Sequence, residues 1–446
     1  MKSHHEKPIA QTLCGACIRR QGLTRKQIGN LIAKASKSSE CSICGGLLST
    51  LGSLSENVAQ ALSNYEFETF LVGTSVPQSM LDREDEIRSA LRIRGRESLK
   101  AQITRTICKK VSALTRKKVD YSRPDITVLV PLGNGPIVVT PRSIWLSAKY
   151  RKLERGISQK NKVCCVCNGL GCASCDFEGK TSTSVQSIAS EYLTHLFEAE
   201  KCNFIWVGGE DENSLVLGSG RQFYVEVLGP KKRKVDLLEL SKRRVRRDYS
   251  DVVNASHGIE FKSIKFLSSR PTQIPMFKLD CEVHLIKKSL EEKNGSFHEP
   301  LDIEQLEGKF RGVRVSVKVS RKFKRVFRFV DSVKAIPSED GKLNLRIRCD
   351  GGIPIRKLVR SDDDSVAPNL SSHLKGYAIN DEHPFDILDV SIVEPNGSRP
   401  PQQRVRSRKG RFSRKQEGSQ RSEDSSIEES HPSDELEQSE AIISDE

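Results

Sequence analysis

Nine of the 13 cysteines fall in two short stretches, and their spacing is the strongest chemical signal in the chain. The first set is Cys14, Cys17, Cys41 and Cys44; the second is Cys164, Cys167, Cys172 and Cys175, with Cys165 left over. Each Cys-x-x-Cys is a tight turn that presents two thiolates to one ion, and two such turns close a tetrahedral four-sulfur site suited to zinc. A closed site leaves no coordination position for water, so one or two structural zinc ions are expected, not catalytic ones. Four free thiols are the alternative, and the regular spacing argues against it. The other candidate is Gly208-Gly209-Glu210-Asp211, which follows the strand-like run Asn203 to Val207. Two glycines let the backbone bend sharply, so that the next carboxylate stands exposed in a concave site. Aspartate after glycine is also ordinary turn chemistry, so the motif draws its meaning from its surroundings.

Those surroundings are large. At 446 residues the chain predicts about three domains. It is 36% hydrophobic and 29% charged, and no stretch approaches the ~20 apolar residues of a membrane helix. No secretory pattern is read at the N-terminus, so a cytoplasmic protein with reduced thiols is expected, which favours metal over disulfides. The net charge of +15 is uneven: residues 399–446 carry 9 basic and 11 acidic residues, leaving 64 basic and 47 acidic, a net of +17, in residues 1–398. An excess of that size points to a polyanionic partner, nucleic acid being the usual one. A solvated basic surface is the plainer reading.

The pattern predicts an α+β protein. A basic helical stretch is expected over Leu23 to Ala35, helices over Leu54 to Phe70 and Leu81 to Ala101, and a hairpin of Ile126 to Leu132 with Ile137 to Val139 around Gly133-Asn134-Gly135. Val185, Ile188, Ala189, Leu193 and Phe197 keep the helical period. Gln222 to Val227, Val313 to Val319, Leu343 to Cys349 and Phe385 to Val393 read as strands of a mainly antiparallel sheet. The expected division is 1–50, a four-cysteine zinc module; 51–180, an accessory region ending in the cysteine knuckle; 181–397, a catalytic domain; and 398–446, a disordered tail with a basic and an acidic block.

Several blocks together resemble the archaeal members of the pseudouridylate synthase 10 family, tRNA pseudouridine synthases that act on the T loop. They include Leu13-Cys14-Gly15-Ala16-Cys17, Phe70-Leu71-Val72-Gly73, Arg123-Pro124-Asp125-Ile126-Thr127, Pro141-Arg142-Ser143-Ile144-Trp145 and Tyr150-Arg151-Lys152-Leu153-Glu154-Arg155-Gly156-Ile157. They continue through the second cysteine cluster, Gly218-Ser219-Gly220-Arg221-Gln222-Phe223 and Pro368-Asn369-Leu370-Ser371-Ser372. The resemblance implies a THUMP-like RNA-binding fold in the first half and a pseudouridine synthase fold in the second. It implies tRNA as partner, positions 54 and 55 of the T loop as target and no organic cofactor; apart from the resemblance, no membrane association and a monomer are expected. The family's Gly-Arg-Glu-Asp motif maps onto Gly208-Gly209-Glu210-Asp211 and implies Asp211 as the catalytic residue.

The chain departs from the family at three points. Gly209 replaces an arginine, whose role is expected to pass to Lys201 or Arg221. The family's Lys-x-Tyr-Arg reads Lys278-Leu279-Asp280-Cys281, which removes a stacking ring and leaves Phe277 as its substitute and Asp280 as a candidate carboxylate. The His-Gly-Asp-x-Gly-Arg-Thr block becomes Arg360 to Val366, retaining Asp362 by position. Arg221, Phe277 and Asp280 are thus the expected substrate-binding residues. These losses sustain a second reading, a non-catalytic tRNA-binding or RNA-chaperone protein on the same fold. A methyltransferase or thiolation enzyme is disfavoured, because no glycine-rich nucleotide-binding turn follows a strand. Basic runs at Pro230 to Val235 and Lys242 to Arg247 read as phosphate contacts in preference to a nuclear import signal. If this charge grips RNA, affinity for tRNA should fall about 10³-fold or more between 50 and 200 mM salt; an affinity that ignores salt would contradict it.

Overall fold

Apolar residues of two different periods build two separate cores, and the described residues form three sheets over them. The computed structural model describes residues 11–23, 32–34, 37–133, 135–180, 184–237, 258–288, 301–319, 324–338, 342–360 and 364–393. The tail from 398, the run 242–247 and Asp362 lie outside them. In the first unit, β1 (Gln11–Leu13) leads into α1 (Gly15–Gln21), and β2 (Ile32–Lys34) pairs in parallel with β1. The helix expected over 23–35 is therefore corrected at 32–34, where the backbone is strand; residues 24–31 lie outside the description. Next, α2 (Leu51–Leu62) buries Leu51, Ser55, Val58 and Leu62 on one stripe. It ends before the expected Phe70, because Phe70, Val72 and Thr74 alternate instead and form β3 (Thr69–Ser75). The single helix expected over 81–101 is two, α3 (Gln78–Leu91) and α4 (Leu99–Thr115). The break is local: Arg92 and Gly95 take left-handed φ values of 52° and 71°, and Ser98 caps α4 by accepting from the Ala101 N–H at 3.1 Å.

Then β4 (Lys118–Val119), β5 (Ile126–Pro131) and β6 (Val138–Pro141) complete a sheet ordered β4-β3-β5-β6, in which β5 and β6 are the expected hairpin. The cysteine module is joined to this unit by a buried carboxylate. Glu84, on α3, accepts from Arg20 Nε at 2.9 Å, Gln21 Nε2 at 2.6 Å and the Leu99 N–H at 2.8 Å.

The second unit starts earlier than residue 181. β7 (Ile144–Lys152) alternates strictly between buried and half-buried positions and lies inside the large sheet. The others, in chain order, are α5 (Val185–Phe197), β8 (Lys201–Trp206), β9 (Val216–Leu228), β10 (Ile259–Leu267), β11 (Phe277–Lys287), α6 (Ile303–Lys309), β12 (Val313–Val319) and β13 (Lys324–Pro337). β14 (Leu343–Asp350), α7 (Ile355–Val359), β15 (Val366–Ala367), β16 (Tyr377–Ile379) and β17 (Phe385–Ile392) follow. The sheet runs β10-β7-β9-β17-β11-β14-β13-β12-β15, with β8 also on β9 and β16 on β11. Every pairing is antiparallel except β9 with β17, which meet in parallel through Ile387 and Val216. The expected α+β class and mainly antiparallel sheet are what the chain forms.

The basic run at 230–235 is a strap between the two units, a different use from the expected phosphate contact. The Lys231 and Lys232 N–H groups donate to the Phe197 carbonyl, Glu66 Oε2 accepts the N–H groups of Arg233 and Lys234, and the Lys232 and Lys234 ammoniums pair with Glu198 and Glu68. No helix among the described residues is long and apolar enough to cross a membrane. Replacing Glu84 with Ala should cost about 3–5 kcal/mol, because it strands the buried Arg20 guanidinium. A melt indistinguishable from wild type would show that this carboxylate does not hold the module.

Candidate active site

The β8–β9 connection, residues 207–215, sits where β9 exchanges one neighbour for another. Up to Trp206, paired with Phe223, β9 is flanked by β8; at Val216 it meets β17 instead. The connection therefore crosses the opening between the two strands, with the Leu215 N–H donating to Asp386 Oδ1 at 2.9 Å and the Ile387 N–H to the Leu215 carbonyl. Of the two glycines, Gly208 alone has a positive φ, 81°, and a Cβ there would meet Phe277 at 2.6 Å. At Gly209 a Cβ would find open space, so the site has room for the side chain this sequence lacks.

The chain's direction after Gly209 is fixed from below. Glu210 turns inward, its side chain fully buried, and its Oε2 accepts from Tyr150 Oη at 2.7 Å. Lys152, also fully buried, donates to the carbonyls of Ile157, Asp211 and Glu212 at 2.8, 2.9 and 3.0 Å. With its three protons on carbonyls, it faces Glu210 Oε1 at 3.4 Å as a charge partner. Burial pulls the Lys152 pKa down and the Glu210 charge opposes that pull; burial and Glu210 together push the Tyr150 phenol well up. Gln159 closes the arrangement by donating to Tyr150 Oη at 2.9 Å and to the Gly208 carbonyl at 3.2 Å.

With Glu210 inward, Asp211 points the other way. Its side chain is 22% exposed; Oδ1 accepts the Asn213 N–H at 3.0 Å, and Oδ2 stands 2.8 Å from Arg356 Nε in an ion pair. Arg356, on α7, also reaches Asp381 at 3.5 Å. The cation beside Asp211 is therefore Arg356, and neither residue expected to replace the missing arginine occupies that place. Arg221 is buried, donating to the Val207 carbonyl at 3.0 Å with its Nε 3.4 Å from Glu210; Lys201 opens β8, at the end of the strand away from the motif. Phe277 is brought to the site, its ring beside Gly208 and 6.0 Å from the Arg221 guanidinium. Asp280 is not, and instead pairs with Arg346 at 3.0 Å on the sheet surface.

Sequence reasoning missed Arg356, Lys152 and Tyr150 as site residues. A lysine in register with the apolar positions of β7 was the available signal for Lys152; nothing local marks Arg356. Both cysteine sets do converge, with each set's ligand atoms within 4.8 Å of one another. Tetrahedral zinc with ~2.3 Å bonds sets its sulfurs about 3.8 Å apart. The observed separations are 3.8 Å for Cys14–Cys44, 3.9 Å for Cys164–Cys172, 3.8 Å for Cys167–Cys175 and 3.7 Å for Cys172–Cys175. Backbone N–H groups of Gly171 and Gly179 point at Cys167 and Cys175 Sγ, each at 3.2 Å, as anionic sulfur requires. Both sets fit a metal ion, and Cys165 is exposed outside them.

A second ionic cluster holds the far end of the connection. Arg155 grips Asp386 with both Nη atoms at 2.6 and 2.7 Å, and His284 Nε2 lies 3.1 Å from the same carboxylate. Burial would raise the Asp386 pKa, but hydrogen bonds from His284, Arg155 and the Leu215 N–H hold it well below the usual range. The bond to Asp386 raises His284. Asp386 thus adds stability above its unfolded pKa of about 3.8 and loses it as pH falls; His284 adds stability below about 6.5 and loses it as pH climbs through its raised folded value. His284→Gln should flatten the alkaline side of the stability–pH curve, removing about 1.5–3 kcal/mol of acid-side advantage. Parallel curves for wild type and variant would contradict the assignment.

Against known proteins, residues 54–131 match the family model described as Pus10 THUMP domain, archaeal, and residues 145–393 match Pus10, C-terminal. A protein of Nitrosopumilus maritimus named tRNA pseudouridine synthase Pus10 is 31% identical over 372 residues, covering 83% of this chain and 90% of that protein. One of the same name from Korarchaeum cryptofilum is 30% identical over 365 residues, covering 79% and 93%. A solved Cbf5-Nop10-Gar1 complex aligns at a TM-score of 0.25 and 11% identity over 46% of this chain and 44% of the aligned one. With the second model spanning more than half of its residues, the chain belongs to the Pus10 family.

Proposed function

We propose that the chain is a tRNA pseudouridine synthase acting on uridines 54 and 55 of the T loop, with Asp211 as its catalytic carboxylate. The observation that carries this is the opposition of two adjacent acids. Glu210 is buried and fixed, while Asp211 stands at the sheet opening, accessible on one side and paired with Arg356 on the other. The reaction is an isomerisation and needs no organic cofactor. A uridine flipped out of its stack loses the bond from C1′ to N1, the freed ring turns, a bond forms from C1′ to C5, and the C5 proton leaves to solvent as N1 gains one. Asp211 touches the reacting nucleotide, Arg356 positions it, and Phe277, on the far side of Gly208, is the ring available to the base. Arg221 acts beneath the site by holding the Val207 carbonyl and Glu210, so we place it among the supports, not the base contacts.

In this reading the accessory unit, the first cysteine module followed by the THUMP region matched over residues 54–131, holds the tRNA body, and the catalytic unit begins at Ile144, where β7 enters the large sheet. The protein acts as a monomer in the cytoplasm, where its substrate is. The two cysteine sets hold zinc as structural braces. Zinc content should be near two per chain, and chelation should lower the melting temperature without exposing a redox activity; native protein free of metal would contradict the zinc assignment.

The non-catalytic reading has the absent ring at Asp280 in its favour, and one experiment decides between them. Wild type should form pseudouridine at 54 and 55 in an unmodified tRNA transcript. Asp211→Ala should lose about 10³-fold or more in rate while binding the tRNA within a few-fold of wild type. Equally small product from both, with both still bound, would establish an RNA-binding protein and overturn the enzyme.

A further inference from the structure

Between the two units lies a cleft of about 400 Å³, within the range of roughly 300–1,000 Å³ common for ligand sites. Its charge is one-sided: Arg123, Arg142, Arg233 and Arg270 face it with a single carboxylate, Asp125. That carboxylate is already occupied. Arg142 Nη2 binds Asp125 Oδ1 at 2.7 Å, and the N–H groups of Glu68 and Thr69 bind Oδ2 at 3.0 and 3.1 Å. Arg233 is only 14% exposed, with its Nε 3.8 Å from Asp125 Oδ1. Burial and the neighbouring Arg142 charge lower its pKa against the pull of Asp125, as expected where cations are crowded without enough anions. Arg123 and Arg270 are exposed, and among the described residues neither has a carboxylate partner. Three uncompensated positive charges in a concave site concentrate anions strongly.

The cleft also holds an aromatic surface, which a bare anion would not need. Trp145 is half-buried with the Arg270 guanidinium 5.9 Å from its ring centroid, and Phe266, 48% exposed and edge-on to Phe197, also lines the cleft. Cations that follow a backbone and rings that stack on bases are together the mark of unpaired nucleic acid. The cleft is distinct from the Asp211 site. Trp145 and Lys152 lie on opposite faces of β7, and seven residues at ~3.3 Å each put them about 23 Å apart along the strand. One flipped nucleotide cannot reach both.

We propose that this cleft binds an unpaired nucleotide of the RNA substrate outside the target loop, its base against Trp145 and its phosphates against Arg123, Arg142 and Arg270. The inference rests on the RNA reading above, and its test is set apart from catalysis by using the full chain carrying Asp211→Asn. In that background, Arg123→Ala with Arg270→Ala should weaken binding of a tRNA transcript about 5- to 20-fold and flatten the slope of log affinity against log salt by about 1.4, as two lost single-strand phosphate contacts require. Both are exposed side chains, so the fold should survive, and an unchanged melting temperature checks this. Ultraviolet crosslinking of the bound tRNA should join a nucleotide outside the T loop to the peptide containing Trp145, and the double variant should lose that crosslink. Unchanged affinity and salt slope would overturn the proposal, as would a crosslink confined to the T loop. So would poly-glutamate binding that depends on both arginines and is not displaced by the transcript, since the cleft would then be a site for acidic protein. Because no arm reads turnover, an inactive wild-type enzyme would speak against Asp211 alone.

Discussion

A single buried ammonium sets the direction of the β8–β9 connection that carries Asp211. Lys152 closes three carbonyls from two separate segments, Ile157 on one side and Asp211 and Glu212 on the other, and faces the carboxylate of Glu210. Taking that pair out of water is expensive, and the mutual attraction of the two charges is what offsets it. Tyr150 donates to Glu210 Oε2, with Arg221 close to the same oxygen and Gln159 holding the phenol, while Oε1 accepts no hydrogen bond and is matched by the Lys152 charge alone. Glu210 is drawn inward, and Asp211 stands on the other side, its carbonyl held by Lys152 and its carboxylate by Arg356.

The sheet supplies the place for this inversion. A connection within an unbroken antiparallel run would be a hairpin lying over its own strands. Here β9 gives up β8 for β17, and the connection crosses the resulting opening, fixed at one end by Gly208 against Phe277 and at the other by Asp386 in the grip of Arg155 and His284. α7 then brings Arg356 to the exposed carboxylate from a distant part of the sequence. The excess basic charge divides by environment. Lys152 and Arg221 are internal braces, the 230–235 strap ties one unit to the other, and the exposed Arg123 and Arg270 of the junction cleft remain open to an anion.

Elements whose residues form a local pattern were legible in the sequence. The alternating strands, the helix at 185–197, the hairpin at 126–141 and both cysteine sets are short-range patterns, and period or spacing is enough to find them. The helix break at Arg92 to Ser98 was missed because its charged residues continue a helical composition while two left-handed φ values end the helix. The assignment of β7 to the large sheet was missed because pairing partners lie far away in sequence. The same distance hid Arg356: its place beside Asp211 is created by long-range packing. The paired glycines looked equivalent on paper, yet only Gly208 carries the strained turn, and Gly209 stands in open space.

In the proposed site Arg356 positions Asp211, and single-turnover kinetics on a bound tRNA transcript test that most directly. Arg356→Ala should slow pseudouridine formation by about 10²-fold or more while shifting tRNA affinity less than about threefold, and Arg356→Lys should recover part of the rate. An alanine variant that keeps the wild-type rate once bound, or a loss confined to affinity, would contradict the placement of the chemistry at the Asp211–Arg356 pair.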